Sequence, residues 1–173
     1  GYLRLSSIEA NEVNADLIDL IANSEKICKH LHIPLQSGCD KILHLMNRPY
    51  NTQRYREKIH EIRRSIPEIA ISTDVIVAFP GEREEDFLGT REFIKEMEFS
   101  ALHVFPFSAH PKTKAYSLPN KVKRGDAEKR ANILRDLSLV LEKDYRKKFA
   151  GEKVRTVLIG FKKGQAIFKT EYF

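Results

Sequence analysis

Short runs of aliphatic and β-branched residues alternate along this chain with longer segments whose apolar positions recur every three or four residues. The first pattern predicts strands and the second amphipathic helices. Tyr2-Leu3-Arg4-Leu5 reads as a strand, and Asn14 can cap a helix with Leu17, Ile18 and Ile21 on one face. Leu31-His32-Ile33-Pro34-Leu35 is the next strand, which Pro34 should end or bulge. Ile42, Leu43 and Met46 mark a short helix; Thr52 can cap a longer one carrying Tyr55, Ile59 and Ile62, and Pro67 breaks the chain after it. Ile69 to Val77 is the strongest strand, nearly continuous in the manner of a parallel strand covered on both faces. Pro80-Gly81 turns into a helix striped by Phe87, Phe93, Ile94 and Met97, and Leu102 to Phe105 forms a fourth strand stopped by Pro106.

Strand starts near residues 2, 31, 69 and 101 are about one βα unit apart. The fold class is therefore α/β, with parallel strands and right-handed crossovers. Four units cannot close an eight-stranded barrel, so they make an open sheet or a partial (βα) barrel. A polar loop over 106–122 leads to a helix from about Asp126 to Phe149, striped by Ala127, Ala131, Leu134, Ser138, Leu141, Tyr145 and Phe149. Val154–Ile159 and Gln165–Thr170 flank Gly160-Phe161-Lys162-Lys163-Gly164 and read as a β-hairpin. The expected division is an α/β domain over 1–150 and a truncated β module over 151–173. Both ends read as cuts in a longer protein.

The chain has 173 residues, a mass of 20.0 kDa and a net charge of +6. No apolar run approaches the ~20 residues that span a bilayer, and no signal peptide opens the sequence, so no membrane partner is expected and a cytoplasmic setting is. The two cysteines, Cys28 and Cys39, fit neither a disulfide scaffold nor a metal motif. The charge is uneven: residues 121–173 carry 15 Lys/Arg against 7 Asp/Glu, and residues 1–120 carry 15 against 17. A basic end on a neutral body suits a polyanion, and equally a helix kept soluble by lysine.

Sites in parallel α/β proteins gather at the carboxyl ends of the strands. The polar residues there are Ser6, Ser7 and Glu9; Gln36, Ser37 and Gly38; and Ser108 with His110. Asp74 lies inside the most apolar strand, where an unpaired carboxylate is expensive. It either pairs with Thr73 or a backbone amide, or holds a ligand hydroxyl. Gln36 has the same two readings, and Arg48 is a ligand group or a solvated cap. Phe79-Pro80-Gly81-Glu82 is a tight turn, or a loop lining an aromatic ligand. The six histidines show no ligand spacing on a helix face, and His103 reads as a packed or lining residue. No Ser-His-Asp arrangement, Walker loop or dinucleotide fingerprint is present.

Five ordered stretches carry a more specific signal: Leu5-Ser6-Ser7-Ile8-Glu9, His32-Ile33-Pro34-Leu35-Gln36-Ser37-Gly38, Met46-Asn47-Arg48, Ser72 through Glu82, and Leu102 through Ser108. Together they resemble the radical S-adenosylmethionine methylthiotransferases. The versions of the first and last stretches, with Leu118-Pro119-Asn120-Lys121-Val122, look most like the branch that adds a methylthio group to C2 of N6-threonylcarbamoyladenosine at tRNA position 37. Cys39 stands where that family usually has Ser, and Ala78 where Gly is usual. The resemblance implies S-adenosylmethionine and two [4Fe–4S] clusters in a full enzyme, with both clusters ligated outside this chain, and a reductant these residues do not identify. It implies the later part of a radical barrel followed by the start of a tRNA-gripping module of the TRAM type, inactive as it stands.

By that resemblance the cofactor contacts are Ser7, Glu9, Gln36, Ser37, Arg48, Asp74, Phe79 and Phe105. Ser7 would lie near the methionine moiety, Arg48 would pair with its carboxylate, Gln36 and Asp74 would bind the ribose hydroxyls, and Phe79 and the Val104–Pro106 strand end would line the adenine. The tRNA contacts would be Arg146, Lys147, Lys148, Lys153, Arg155, Lys162, Lys163 and Lys169. Two other readings stand beside this one: a methylthiotransferase acting on a ribosomal protein aspartate, and a non-catalytic RNA-binding α/β module.

Overall fold

The computed structural model describes residues 2–172. Three parallel strands, β1 (His30–His32), β2 (Ala70–Val77) and β3 (Ala101–Pro106), hydrogen-bond in chain order. Helices α1 (Ala15–Asn23), α2 (Asp40–Leu45), α3 (Thr52–Ser65) and α4 (Glu84–Met97) fill the connections, and α5 (Arg124–Lys147) follows the sheet. Strands that advance in chain order form a barrel wall rather than a doubly wound sheet.

The first expected strand is reduced to two parallel bridges, Leu3 to Ile27 and Ser7 to His32. Four steps on one chain face five on the other, so the pairing slips by one residue and no continuous ladder forms. A second slip follows β1. His32 pairs with Ser72, yet Gln36 pairs with Val75, so one extra residue is accommodated around Pro34. The backbone groups freed there are all partnered. Thr73 Oγ1 donates to Ile33 O at 2.7 Å and accepts from Leu35 N–H at 2.8 Å. The Tyr55 hydroxyl donates to Ile33 O at 2.7 Å, and the Tyr50 hydroxyl to Pro34 O at 3.0 Å. Burial pushes the Tyr50 phenol up to about 12 and the Tyr55 phenol higher still, so both remain donors. The proline thus makes the bulge, and two tyrosines and a threonine close it.

Both faces of the sheet are covered at the start of β2, where Ala70 and Ser72 are buried, but toward the carboxyl end only one is, not the two expected throughout. Leu31, Ile71, Thr73, Val75, Val77 and Leu102 are buried with Tyr55, Ile59, Ile62, Phe87, Phe93 and Ile94 from the helices. The alternate positions Asp74, Ile76, His103 and Phe105 are half-buried or exposed. Strand period 2 sends these to the opposite face, which is open toward the carboxyl ends of the strands. Asn51 rather than Thr52 caps α3, accepting from Arg54 N–H at 2.9 Å.

Strands β4 (Thr156–Lys162) and β5 (Gln165–Thr170) form the hairpin, pairing only with each other among the described residues. Its turn is tighter than expected. Lys163 and Gly164 make a two-residue loop with φ of +50° and +77°, the pattern favoured between twisted strands, and Gly160 lies at a register shift inside β4. Arg4 donates to Thr170 O at 2.9 Å, tying the hairpin to the first extended segment.

Candidate functional site at the open face of the sheet

Two left-handed residues shape the carboxyl edge of the sheet. Gln36 has φ +66°, and its backbone bonds on either side of Val75, from its N–H to Asp74 O and to its O from Ile76 N–H. Ala78 has φ +62°, which explains why glycine suits this position better. Glu82 holds the strained turn by accepting Ala78 N–H at 2.7 Å. Arg130 of α5 in turn donates to Glu82 Oε2 at 2.7 Å and to Glu84 at 3.0 Å. Burial pushes the Glu82 carboxyl up, with the Ala78 N–H and Arg130 opposing. Sequence reasoning placed Glu82 only in a turn and missed Arg130. Its signal was its position between Ala127 and Leu134, on the buried stripe of α5.

The open face carries a continuous side-chain chain. His30 Nε2 shares a hydrogen bond with Ser72 Oγ at 3.2 Å, and Ser72 Oγ another with His32 Nδ1 at 3.0 Å. His32 Nε2 lies 3.3 Å from Asp74 Oδ1, and His103 Nδ1 lies 3.2 Å from the same oxygen. The His32 and His103 rings stack at 5.2 Å. The Asp74 carboxylate therefore meets two imidazoles, not Thr73 or a backbone amide. Burial lowers His30 to about 4, helped by Arg4, His32, Lys169 and His103, so it is neutral at pH 7. A search for helical histidine spacing misses this group, because its members stand side by side on neighbouring strands.

The other sequence-derived cofactor residues divide into three. Glu9 and Arg48 meet at 3.2 Å through Glu9 Oε1, while Glu9 Oε2 is buried without a partner; Ser7, at the bridge to His32, is exposed. Ser37 points elsewhere: fully buried, its hydroxyl shares a bond with Thr90 at 3.2 Å and accepts from Cys39 N–H at 3.2 Å, fastening the loop to α4. Gly38 permits that approach, since a Cβ there would stand 2.8 Å from Phe93 Cβ. Phe79 is buried with its ring edge-on to Phe107 at 4.9 Å, whereas Phe105 is exposed on the open face.

Cys28 is buried just before β1, and Cys39 caps α2, donating to Asp86 at 3.4 Å. Burial and Asp86 push the Cys39 thiol up. In the basic end, Arg146 pairs with Glu142, Lys147 with Asp144, Lys148 with Glu98 and Arg155 with Glu171. Lys153, Lys162, Lys163 and Lys169 are exposed.

A family model described as the Radical SAM superfamily matches residues 4–94. The chain belongs to that superfamily. It is 38% identical over 155 residues to the threonylcarbamoyladenosine tRNA methylthiotransferase MtaB of Bacillus subtilis, a match covering 90% of this chain and 34% of that protein. It is 47% identical over 120 residues to the tRNA-2-methylthio-N(6)-dimethylallyladenosine synthase of Syntrophobacter fumaroxidans, covering 69% of this chain and 26% of that one. The chain thus spans about a third or less of these relatives' lengths. Its fold resembles the coproporphyrinogen III oxidase HemN of Escherichia coli, a radical SAM enzyme, with a TM-score of 0.55 and 19% identity over 79% of this chain and 31% of that one. No helix among the described residues is long and apolar enough to cross a membrane.

Proposed function

We propose that this chain is part of a tRNA methylthiotransferase that adds a methylthio group to C2 of N6-threonylcarbamoyladenosine at tRNA position 37. The observation that carries this reading is the similarity to MtaB along 90% of the chain. The residues of the open face suit S-adenosylmethionine. The buried, unpartnered Glu9 Oε2 asks for a cationic donor, and Arg48 beside it for a carboxylate. The ammonium and carboxylate of a methionine moiety supply both. Asp74 has its two imidazoles on Oδ1, so ribose hydroxyls would meet Oδ2, with Ser7 and Gln36 proposed to add further polar contacts. Phe105, exposed on the open face, offers aromatic surface to the adenine, whereas Phe79 is buried against Phe107 and would shape the site without contact. Ser37 contributes by holding the loop rather than by contact.

The chain's own cysteines do not fit an iron–sulfur cluster. They lie on separate elements, and Cys39 is held protonated by its surroundings. Both [4Fe–4S] clusters of the proposed enzyme would be ligated by residues outside this chain, which alone would be inactive. Residues 1–150 would be the later part of the radical barrel and 151–173 the start of a TRAM-like module. The free lysines of the hairpin would meet tRNA phosphates.

A second reading, dimethylallyladenosine as the modified nucleoside, is favoured by the 47% identity to the synthase of that name. Mass spectrometry of tRNA nucleosides from cells lacking the gene separates the two. Loss of the methylthio form of threonylcarbamoyladenosine is expected. Its persistence with loss of the dimethylallyl form would select the second reading.

A further inference from the structure

The His32, Asp74 and His103 side chains each offer one ligand atom, and the three atoms lie within 4.8 Å of one another. They come from the end of β1 and from paired positions of β2 and β3, so the sheet register itself assembles them. Two observations favour a metal site. The first is distance. The two imidazole nitrogens stand 3.3 and 3.2 Å from Asp74 Oδ1, at the long end of the N–H to oxygen range. Ligand atoms held about 2.0–2.2 Å from a tetrahedral zinc ion lie about 3.3 Å from one another, so both nitrogen–oxygen spacings also suit a shared ion. The second is orientation. Metal-binding histidines use their other ring nitrogen in a hydrogen bond that fixes the ring. His32 does so through Nδ1 to Ser72, which His30 engages in turn.

We propose that His32, Asp74 and His103 form a binding site for a divalent cation of the zinc class. Two imidazoles and one carboxylate suit such a borderline ion better than magnesium or calcium, which take oxygen ligands. The site is empty. His32 is largely buried, whereas the His103 side chain is 56% exposed, so a fourth position opens to solvent for water or an external ligand. The cation would use Asp74 Oδ1, leaving the other oxygen for the ribose role, and the site stands whether or not that role does.

The test is zinc binding by the full chain, measured by calorimetry and by metal analysis after gel filtration. His103→Ala is the informative variant because its side chain is exposed and its loss leaves the core intact; circular dichroism checks the fold. We expect one equivalent of Zn2+ that His103→Ala releases or weakens by more than about 100-fold, the upper range for losing even an outer-shell partner. Cys28→Ser/Cys39→Ser should keep it. Equal zinc content and affinity in wild type and His103→Ala, or no zinc bound by either, would overturn the proposal. S-adenosylmethionine affinity measured without zinc on the full-length enzyme carrying the same substitution distinguishes the two claims. It should persist in His103→Ala, since Asp74 remains.

Discussion

Thr73 shows how much one hydroxyl can do. It is fully buried in β2 and serves both Ile33 O and Leu35 N–H across the Pro34 bulge. Thr73→Val keeps the shape and strands the Leu35 N–H, so urea unfolding should show a loss on the order of 1–3 kcal/mol; an unchanged midpoint would mean the bulge relaxes. His30 contributes a pH dependence of definite sign. Its folded value near 4 lies below its ordinary 6.5 because of burial first and nearby cations second. The unfolded chain therefore takes up the proton first. The contribution is full above pH 6.5 and disappears as pH falls toward 4. His30→Gln should flatten the fall of the melting temperature across that window, and parallel curves would contradict this. The sequence announced the bulge through Pro34, and the odd carboxylate through Asp74. It hid their partners, because contacts such as Asp74 to His103 depend on register between strands about 29 residues apart.

At the level of elements, α5 acts as a strap. Its Ser138 hydroxyl accepts Leu102 N–H at 3.0 Å, and Arg130 anchors the turn after β2 through Glu82. Both side chains of that ion pair are almost wholly buried, at 9% and 1% exposure. Removing one partner strands the other, so Arg130→Ala should destabilise by about 3–5 kcal/mol. Arg130→Met with Glu82→Gln should recover part of that loss in the same denaturation measurement. Equal losses in the single and double variants would show that packing, not the charge pair, carries the effect. The helices themselves were legible, since the apolar stripes of α3, α4 and α5 all face the sheet as their periodicity requires. The strands were less so. A β-branched run such as β2 has the same composition whether one or both faces are covered, and the half-exposed Asp74 and Ile76 alone record the difference.

For the whole molecule, the half-open sheet face and the basic hairpin are the two surfaces on which the proposed function rests. The helix-borne basic residues are largely engaged by acids, so Lys162 and Lys163 at the hairpin turn are the better probes of tRNA contact. Their double alanine variant in the full-length enzyme should bind cognate and non-cognate tRNA more weakly alike. It should also flatten the dependence of affinity on salt by roughly one to two units, because each phosphate contact releases counterions. Superimposable salt curves would remove this turn from the tRNA surface. The central claim is that the open face of the sheet holds S-adenosylmethionine. Its most direct measurement is cofactor affinity by calorimetry for the full-length enzyme and its Asp74→Ala variant. Loss of a charge-assisted hydrogen bond of about 1.5–3 kcal/mol predicts binding weaker by about one to two decades with the fold unchanged; equal affinities would contradict the account.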